Sequence, residues 1–205
     1  MTTSAPGETL ERAETPLAAG AIILARHGRP DCDRSVRIDW RGYAQWWADY
    51  ERAGLAAGQV APEKLHVAAR AADVLFASPA PRAVETAAAV ADGRPILQDA
   101  VFVEAPLPPP RLWGRHTPRA WGVFARIAWW LGRHDGQESR QAAELRAEAA
   151  VATLAARALR GESVALMAHG WFNRMMRRVL KRQGWRETYD GGDSYWSFRR
   201  FERKQ

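Results

Sequence analysis

Short continuous apolar runs along this chain alternate with stretches in which apolar residues recur at helical spacing. Four apolar runs predict strands buried on both faces of a parallel sheet, at 21–25, 74–77, 96–103 with a break, and 164–168. Helices are predicted at 43–56, 62–72, 81–91, 138–159 and 171–183, and a last, edge strand at 195–201. This strand–helix alternation predicts a layered α/β domain.

The first 20 residues have no sustained apolar period and contain mainly polar residues, proline and glycine, so we expect a flexible tail. We find no internal repeat or long linker after it, and we interpret residues 21–205 as a single domain. Within the predicted helix at 138–159, one apolar face is formed by Leu145, Ala149, Ala152, Ala156 and Leu159.

The segment 106–134 departs from this alternation, because three consecutive prolines, 108–110, forbid regular structure and four tryptophans follow them. A helix at 119–132 is apolar nearly all round. We expect it to be buried or half-buried as a cap over the sheet, and a membrane-surface or partner-docking helix is the alternative. If this segment forms a lid, Trp113, Trp121 and Trp129 would stack on a bound substrate. Alternatively, these three side chains belong to the hydrophobic core. Nearby arginines that would suit a second anionic group are Arg111, Arg115 and Arg119.

The net charge of +7 comes almost entirely from arginine, since the chain has only three lysines, Lys64, Lys181 and Lys204. Arginine suits planar anions such as phosphate, but the arginines are scattered rather than arranged in a stripe, so we expect no nucleic-acid partner.

Cys32 is the single cysteine, which excludes an internal disulfide. The N-terminus lacks the layout of a signal peptide and no run is long enough to span a membrane. We therefore expect a cytoplasmic protein with no membrane partner.

Ionisable side chains follow each of the four predicted strands. Arg26 and His27 follow the first strand and Arg82 follows the second; Glu104 and His169 follow the third and fourth. Ligands bind at the carboxyl ends of the strands in open α/β sheets, so these five side chains are expected at one edge.

Two guanidiniums, two imidazoles and a carboxylate at one edge suit phosphoryl transfer. Guanidiniums bind phosphate oxygens in pairs of hydrogen bonds, and helix N-termini add N–H donors. One imidazole, kept neutral by cationic neighbours, can attack phosphorus while the other stabilises the phosphoryl oxygens. Glu104 can protonate the leaving oxygen and then activate water.

Other chemistries for these residues are less well supported. A zinc site would use the histidines and the carboxylate, but no H-E-x-x-H or C-x-x-C spacing is present and the arginines would repel a cation. We expect no metal and no cofactor. Ser78 lacks the G-x-S-x-G context of a nucleophilic serine.

An ordered set of motifs resembles the histidine phosphatase superfamily, also called the phosphoglycerate mutase-like family. The set spans residues 21 to about 180 and consists of Arg26-His27-Gly28, Ser78-Pro79 with Arg82 and Glu85-Thr86, the carboxylate Glu104, and Ala168-His169-Gly170. The stretch Gly136-Gln137-Glu138-Ser139 is similar to the family's usual Gly-Glu-Ser. The resemblance implies a three-layer α/β/α sandwich with a mostly parallel sheet.

The resemblance also implies roles for individual residues. His27 would be the phosphorylated nucleophile, and Glu104 the proton donor. Arg26, Arg82 and His169 would form the phosphate pocket. The backbone N–H of Trp171 would reach the phosphate as well.

Two departures from the family pattern affect these roles. Asp33 stands where an asparagine usually contacts phosphate, which argues against mutase activity, and Asp31 and Asp33 are reserve candidates for the proton donor. Glu104 lacks the usual Gly-Trp-Glu-Gly continuation.

The function implied is a metal-independent phosphomonoesterase that forms phosphohistidine and acts on an unidentified phosphorylated small molecule. The alternatives are mutase-type phosphoryl transfer and a non-catalytic protein that binds a phosphorylated ligand. A nucleic-acid binder driven by arginine is a further, less favoured interpretation.

Overall fold

The apolar runs form a six-stranded sheet in the computed structural model, which describes residues 18–203. The strands are β1 (Ile22–Arg26), β2 (Val74–Ala77), β3 (Ile96–Gln98), β4 (Val164–Ala168), β5 (Trp185–Asp190) and β6 (Phe198–Arg203). Their order is β3-β2-β4-β1-β6-β5. The first four in this order pair in parallel, and β6 and β5 add antiparallel strands beside β1. The predicted mostly parallel sheet is therefore confirmed.

Helices cover both faces of the sheet. They are α1 (Trp40–Arg52), α2 (Glu63–Arg70), α3 (Pro81–Ala91), α4 (Pro118–Trp130), α5 (Arg140–Ala158) and α6 (Gly170–Arg182), with a 3₁₀ turn at Ala100–Phe102. Ile23 and Ala25 of β1 pack in the cluster that includes α2 and α3, whereas Ile22 and Leu24 pack with α5 and α6. Successive strand residues point to opposite faces, so this division confirms the three-layer α/β/α architecture.

Several element boundaries differ from the sequence-based prediction. Strand β3 ends at Gln98, and the rest of the predicted run 96–103 forms the 3₁₀ turn, because Asp99 accepts a hydrogen bond from the N–H of Val101 and starts a new turn. The last strand begins at Phe198 rather than at residue 195. Strand β5 was not predicted, because its sequence WRETYD has one buried apolar residue, Trp185, and is otherwise mostly polar.

Helix α5 buries a different face from the one that its leucines indicated. Leu145 is 62% exposed and Leu159 is 48% exposed, and the alanines of the predicted face are exposed as well. The prediction of that face is wrong. The helix packs instead through Ala143, Ala147, Ala150, Val151, Leu154, Ala155 and Ala158. Large aromatic side chains already fill this cluster, so the helix contributes mostly alanines at the contact.

The tryptophan-rich segment forms α4, which is capped by the side chain of Thr117 and packs against α1. Trp121 and Trp129 are buried in the core, so of the two roles that the sequence left open for them the structure shows the core role and not stacking on a substrate. Trp113 is 98% exposed and lies in a separate surface cleft with Arg111 and Arg115.

Within 18–203, no helix is both long and apolar enough to cross a membrane. Residues 1–17, most of the predicted tail, lie outside the described part of the chain.

Candidate functional site

The carboxyl ends of three adjacent parallel strands bring the two histidines together. The N–H of His27 continues the ladder between β1 and β4 by donating to Ala168 O at 2.9 Å, and the N–H of Ser78 donates to Met167 O at 3.0 Å. His169 directly follows β4. The imidazole centroids of His27 and His169 consequently lie 5.2 Å apart.

His27 is buried and presents one unprotonated ring nitrogen. Its Nδ1–H donates to its neighbour's carbonyl, Gly28 O, at 2.7 Å. This bond leaves Nε2 with a free lone pair, 3.5 Å from the Tyr50 hydroxyl. Burial is the main cause that lowers the pKa of His27 to about 3, and the charges of Arg82 and Arg26 act in the same direction. The imidazole is therefore neutral near pH 7.

Arg82 and His169 form a second buried pair in the site. Arg82 Nη2 donates to His169 Nδ1 at 3.3 Å and to the Glu51 carboxylate at 3.0 Å, and its Nη1 donates to Tyr50 O at 2.9 Å. On the other side of the ring, His169 Nε2–H donates to Ser78 Oγ at 2.8 Å. Burial, followed by the neighbouring His27 and Arg82, holds the pKa of His169 well below its usual value. Both imidazoles are thus neutral and held in defined tautomers.

Arg26 lies where β1 meets the start of α6. Its guanidinium carbon is 4.3 Å from the centre of the Tyr195 ring, and Nη1 donates to Asp193 O. A Cβ on Gly170 would lie 3.1 Å from Arg26 Nε, so glycine at this position allows the close approach. That Nε is buried and has no acceptor among residues 18–203.

Glu104 lies at the N-terminus of α6. Its carboxylate accepts N–H groups from Trp171 at 3.2 Å, Phe172 at 2.9 Å and Ala105 at 3.0 Å. The Trp171 N–H, predicted from the resemblance to contact phosphate, is therefore engaged with a carboxylate of the protein. A helix N-terminus is an anion-binding position, and here the anion is a side chain.

A cavity of about 170 Å³ lies beside Arg26, His27 and Glu104, whereas Arg82 and His169 are buried and are not among its lining residues. It is lined by Arg26, His27, Tyr50, Glu104, Gly170, Trp171, Arg174 and Asp193. The reserve candidate Asp33 is turned away, because its carboxylate accepts hydrogen bonds from the Ser35 N–H and hydroxyl. Neither Asp31 nor Asp33 lines the cavity.

The glycine after His27 is fixed by a residue of α3. Thr86 Oγ1 accepts the Gly28 N–H at 2.9 Å and donates its own proton to Arg82 O at 2.6 Å. A Cβ at Gly28 would lie 2.5 Å from the Trp196 ring and 2.8 Å from Leu55 Cδ2. Thr86 therefore links the segment that carries His27 to the helix that carries Arg82.

Sequence reasoning missed the residues that surround the cavity from distant elements. Tyr50 and Glu51 come from the end of α1, and Asp193 and Tyr195 come from the loop between β5 and β6. None of them follows a strand of the parallel part of the sheet, so strand-end position could not indicate them. The repeated aromatic residues of α1 were a signal that the sequence did contain.

A neutral imidazole with a free lone pair beside two guanidiniums and a helix N-terminus can bind an oxyanion and attack it. Arg26 and Arg82 supply fixed positive charge. The Nη groups of Arg82 are held by Tyr50 O, the Glu51 carboxylate and His169, whereas Arg26 has one such contact, from Nη1 to Asp193 O. Within the described residues, no three His, Cys, Asp or Glu side chains are grouped so that they could hold a metal ion.

The sequence profile of the histidine phosphatase superfamily (branch 1) matches residues 22–192. The chain therefore belongs to this superfamily, and the resemblance in its motifs is confirmed. A search of curated proteins found no match.

Solved structures with the same fold include two phosphatases and a mutase. A mycobacterial glucosyl-3-phosphoglycerate phosphatase is 22% identical with a TM-score of 0.54, and 80% of each chain is covered. A phosphoserine phosphatase from Entamoeba histolytica, in complex with 3-phosphoglyceric acid, is 16% identical with a TM-score of 0.53 and the same coverage. A phosphoglycerate mutase from Bacillus anthracis is 16% identical with a TM-score of 0.51, and 83% of this chain and 84% of that one are covered.

Proposed function

We propose that this protein is a metal-independent phosphomonoesterase that transfers the phosphoryl group of a small molecule to His27 and then to water. The observation that carries the proposal is the state of the His27 ring. Its Nδ1–H is held by Gly28 O and its burial keeps it neutral, so Nε2 offers a lone pair beside two guanidiniums. A family that contains phosphatases and a mutase supports phosphoryl transfer as the reaction class.

In the first half-reaction, the Nε2 lone pair of His27 forms a bond to phosphorus while the ester P–O bond breaks. Glu104 gives its proton to the departing alcohol oxygen. That proton enters with the substrate: a phosphomonoester monoanion passes its proton to the Glu104 carboxylate on binding, and Glu104 returns it to inorganic phosphate at the end of the cycle. The incoming phosphate oxygen then takes over the Trp171 N–H that Glu104 holds in the free protein.

In the second half-reaction, water attacks the phosphorus of phosphohistidine. Glu104 accepts a proton from this water, the P–N bond breaks, and its electron pair returns to Nε2. Inorganic phosphate leaves and both residues regain their initial states, so the cycle balances without another reactant.

Arginines and neutral donors stabilise the transferring group in this proposal. Arg26 and Arg82 bind the phosphoryl oxygens, and His169 contributes from the opposite side. In the free protein its Nδ1 accepts from Arg82 and its Nε2–H donates to Ser78 Oγ, so His169 donates to a phosphoryl oxygen by exchanging the Ser78 bond for one to the phosphate. Positive charge of this kind does the work that a metal ion does in other phosphatases, which leads us to expect activity in the presence of a chelator.

The test uses p-nitrophenyl phosphate with and without EDTA, on wild type, His27→Ala and a matched control, His66→Ala. His66 is paired with Asp92 outside the cavity. We expect EDTA-resistant release of inorganic phosphate that falls at least about 10³-fold in His27→Ala and is unchanged in His66→Ala. Equal rates in all three proteins would refute the assignment of His27.

A second measurement separates hydrolysis from the other interpretations. Brief mixing with labelled phosphoester, followed by acid-sensitive detection of bound phosphate, should reveal phosphohistidine in wild type only. Transfer of the label to an added alcohol rather than to water would indicate a mutase-like enzyme. Tight phosphate binding with neither phosphohistidine nor turnover would indicate a binding protein.

A further inference from the structure

A second cleft, of about 420 Å³, adjoins the cavity at His27 and shares part of its lining. The shared residues are Arg26, Tyr50, Glu104, Trp171 and Arg174. Beyond them, the cleft extends between α1 and α4. A phosphoester bound at His27 would therefore direct its organic part into this cleft.

One wall of this cleft is aromatic. This wall consists of four side chains of α1, Tyr43, Trp46, Trp47 and Tyr50. Their neighbouring ring centroids lie 5.0–6.5 Å apart, with three pairs stacked and two tilted. Trp46 and Trp47 are half-buried, so parts of both indoles remain open to a ligand. Such a wall favours a flat or apolar organic group.

Arg126 of α4 is the unusual group in this cleft. Its guanidinium stacks 4.5 Å from the Trp171 ring centre and 4.8 Å from that of Trp129, and Nη2 donates to Ala105 O at 3.3 Å. Nη1 is buried without an acceptor, and within residues 18–203 no carboxylate oxygen lies at ion-pair distance from Arg126, whose nearest acidic influence is the charge of Glu104. Burial lowers the pKa of Arg126 to about 10, so it remains charged near pH 7.

A second unpartnered group lies on the same side. The Tyr43 hydroxyl is buried without a hydrogen bond, and it would lie 3.6 Å from a Cβ on Gly122, one helical turn before Arg126. Residues four apart share a helix face, so this hydroxyl and the guanidinium belong to one end of the cleft. A half-buried cation whose buried Nη1 lacks an acceptor, and a buried hydroxyl without a hydrogen bond, are costly unless a ligand satisfies them.

We propose that Arg126 and Tyr43 form a subsite for a carboxylate on the organic part of the substrate. This inference rests on the proposed phosphatase function and specifies the substrate class: a phosphomonoester with a flat or apolar body and a carboxylate at its far end. A carboxylate is favoured over a second phosphate, because Arg126 is the single desolvated cation at this end and balances one negative charge.

The wider lining agrees with an anionic substrate. It contains five arginines, at 26, 34, 119, 126 and 174, and a single acidic residue, Glu104. Arg174 is already paired with Asp193, and Arg34 donates to the Tyr195 hydroxyl. These arginines attract anions to the opening, whereas Arg126 selects the charged group inside.

The experiment compares two esters that differ in charge but have similar leaving groups, 4-carboxyphenyl phosphate and 4-carbamoylphenyl phosphate, together with their meta isomers. We expect wild type to prefer the carboxylate in at least one isomer pair by about 10- to 100-fold in kcat/KM, mainly through KM. In Arg126→Met, which keeps an apolar side chain against Trp171, this ratio should fall to about one. In Tyr43→Phe it should fall several-fold.

Arg140→Met is the matched control, because the Arg140 guanidinium also stacks on a tryptophan, Trp130 at 4.7 Å, but lies outside this cleft. It should retain the wild-type ratio. A ratio near one in wild type for both isomer pairs, or an unchanged ratio in Arg126→Met, would overturn the proposal.

Binding measurements keep this result separate from the phosphatase assignment. Calorimetry on His27→Ala gives the dissociation constants of the same four compounds without turnover. If wild type hydrolyses neither ester, the proposed reaction fails, and the ratio of these dissociation constants still decides whether the carboxylate subsite exists. Equal constants for acid and amide in both isomer pairs would reject it.

Discussion

Replacing Thr86 by valine removes a single oxygen that connects two parts of the site. Valine has nearly the shape of threonine, but it cannot accept the Gly28 N–H that Thr86 Oγ1 holds at 2.9 Å. Thr86 is fully buried, so no water can replace the lost acceptor. Leaving a buried N–H without a partner costs about 1–3 kcal/mol. For a protein of this size, that loss lowers Tm by roughly 2–12 °C.

A matched control is available in α5. Thr153 also sits in a helix and also donates to the carbonyl four residues earlier, Ala149 O at 3.1 Å, but this bond is exposed and Thr153 accepts no distant N–H. Thr153→Val repeats the helix-propensity change and the loss of the internal bond. We expect it to change the free energy of unfolding by less than about 0.5 kcal/mol.

The assay is urea denaturation of wild type and both variants, followed by kcat/KM on p-nitrophenyl phosphate below the unfolding range. Because Gly28 follows His27 directly, Thr86→Val should also lower kcat/KM by roughly tenfold or more, and Thr153→Val should not. Equal stability losses in the two variants would refute the role of the Gly28 bond. A destabilised Thr86→Val protein with full activity would refute its role in positioning His27.

Three further predictions concern the same cavity. Glu104→Gln should lower kcat/KM, which reports phosphoryl transfer to His27, by about 10²–10⁴-fold for alkyl phosphates and far less for p-nitrophenyl phosphate, whose leaving group needs no proton; an equal loss for both would indicate a helix cap only. Gly28→Ala should destabilise by about 1–3 kcal/mol in urea denaturation, because its Cβ meets the Trp196 ring, and unchanged stability would contradict this contact. The depressed pKa of His27, about 3, means that the unfolded chain binds the proton first, so stability is lost as pH falls from about 6.5 towards 3. Between pH 7 and 5, wild type should lose about 2 kcal/mol more than His27→Asn, and parallel losses would refute the shift.

The strands that carry the histidines were predictable because their signal is local. A run buried on both faces must be continuously apolar, as Ile22–Ala25 and Val164–Ala168 are; the first run ends two residues before His27 and the second directly before His169. The predicted edge position of His27 and His169 depends on the order of the strands. The order of the strands is set by which strands pair, for example by the pairing of β1 with β4 that places Arg26 opposite Ala168. The sequence of one apolar run does not specify its partner strand.

The remaining parts of the site depend on contacts that have no local signal. The Tyr50 carbonyl reaches Arg82 only because α1 ends beside α3, and Tyr195 reaches Arg26 only because the β5–β6 loop folds back over β1. The incorrect prediction of the buried face of α5 has a related cause. Hydrophobicity favours burying Leu145, but the available space against the filled aromatic cluster favours alanine, and packing density prevails.

The arginines near His27 and Arg126 in the cleft between α1 and α4 differ in how many hydrogen-bond acceptors the free protein provides for them. Arg82 binds Glu51 and the Tyr50 carbonyl, and Arg26 binds the Asp193 carbonyl, so each holds a protein acceptor before any ligand arrives. In the proposed function, a phosphoryl group would compete with or add to these contacts, which would favour release of inorganic phosphate. Arg126 has one carbonyl contact and no carboxylate at ion-pair distance, so it would gain more from an anionic ligand. The two proposals therefore assign affinity for the organic part and turnover at the phosphate to different arginines.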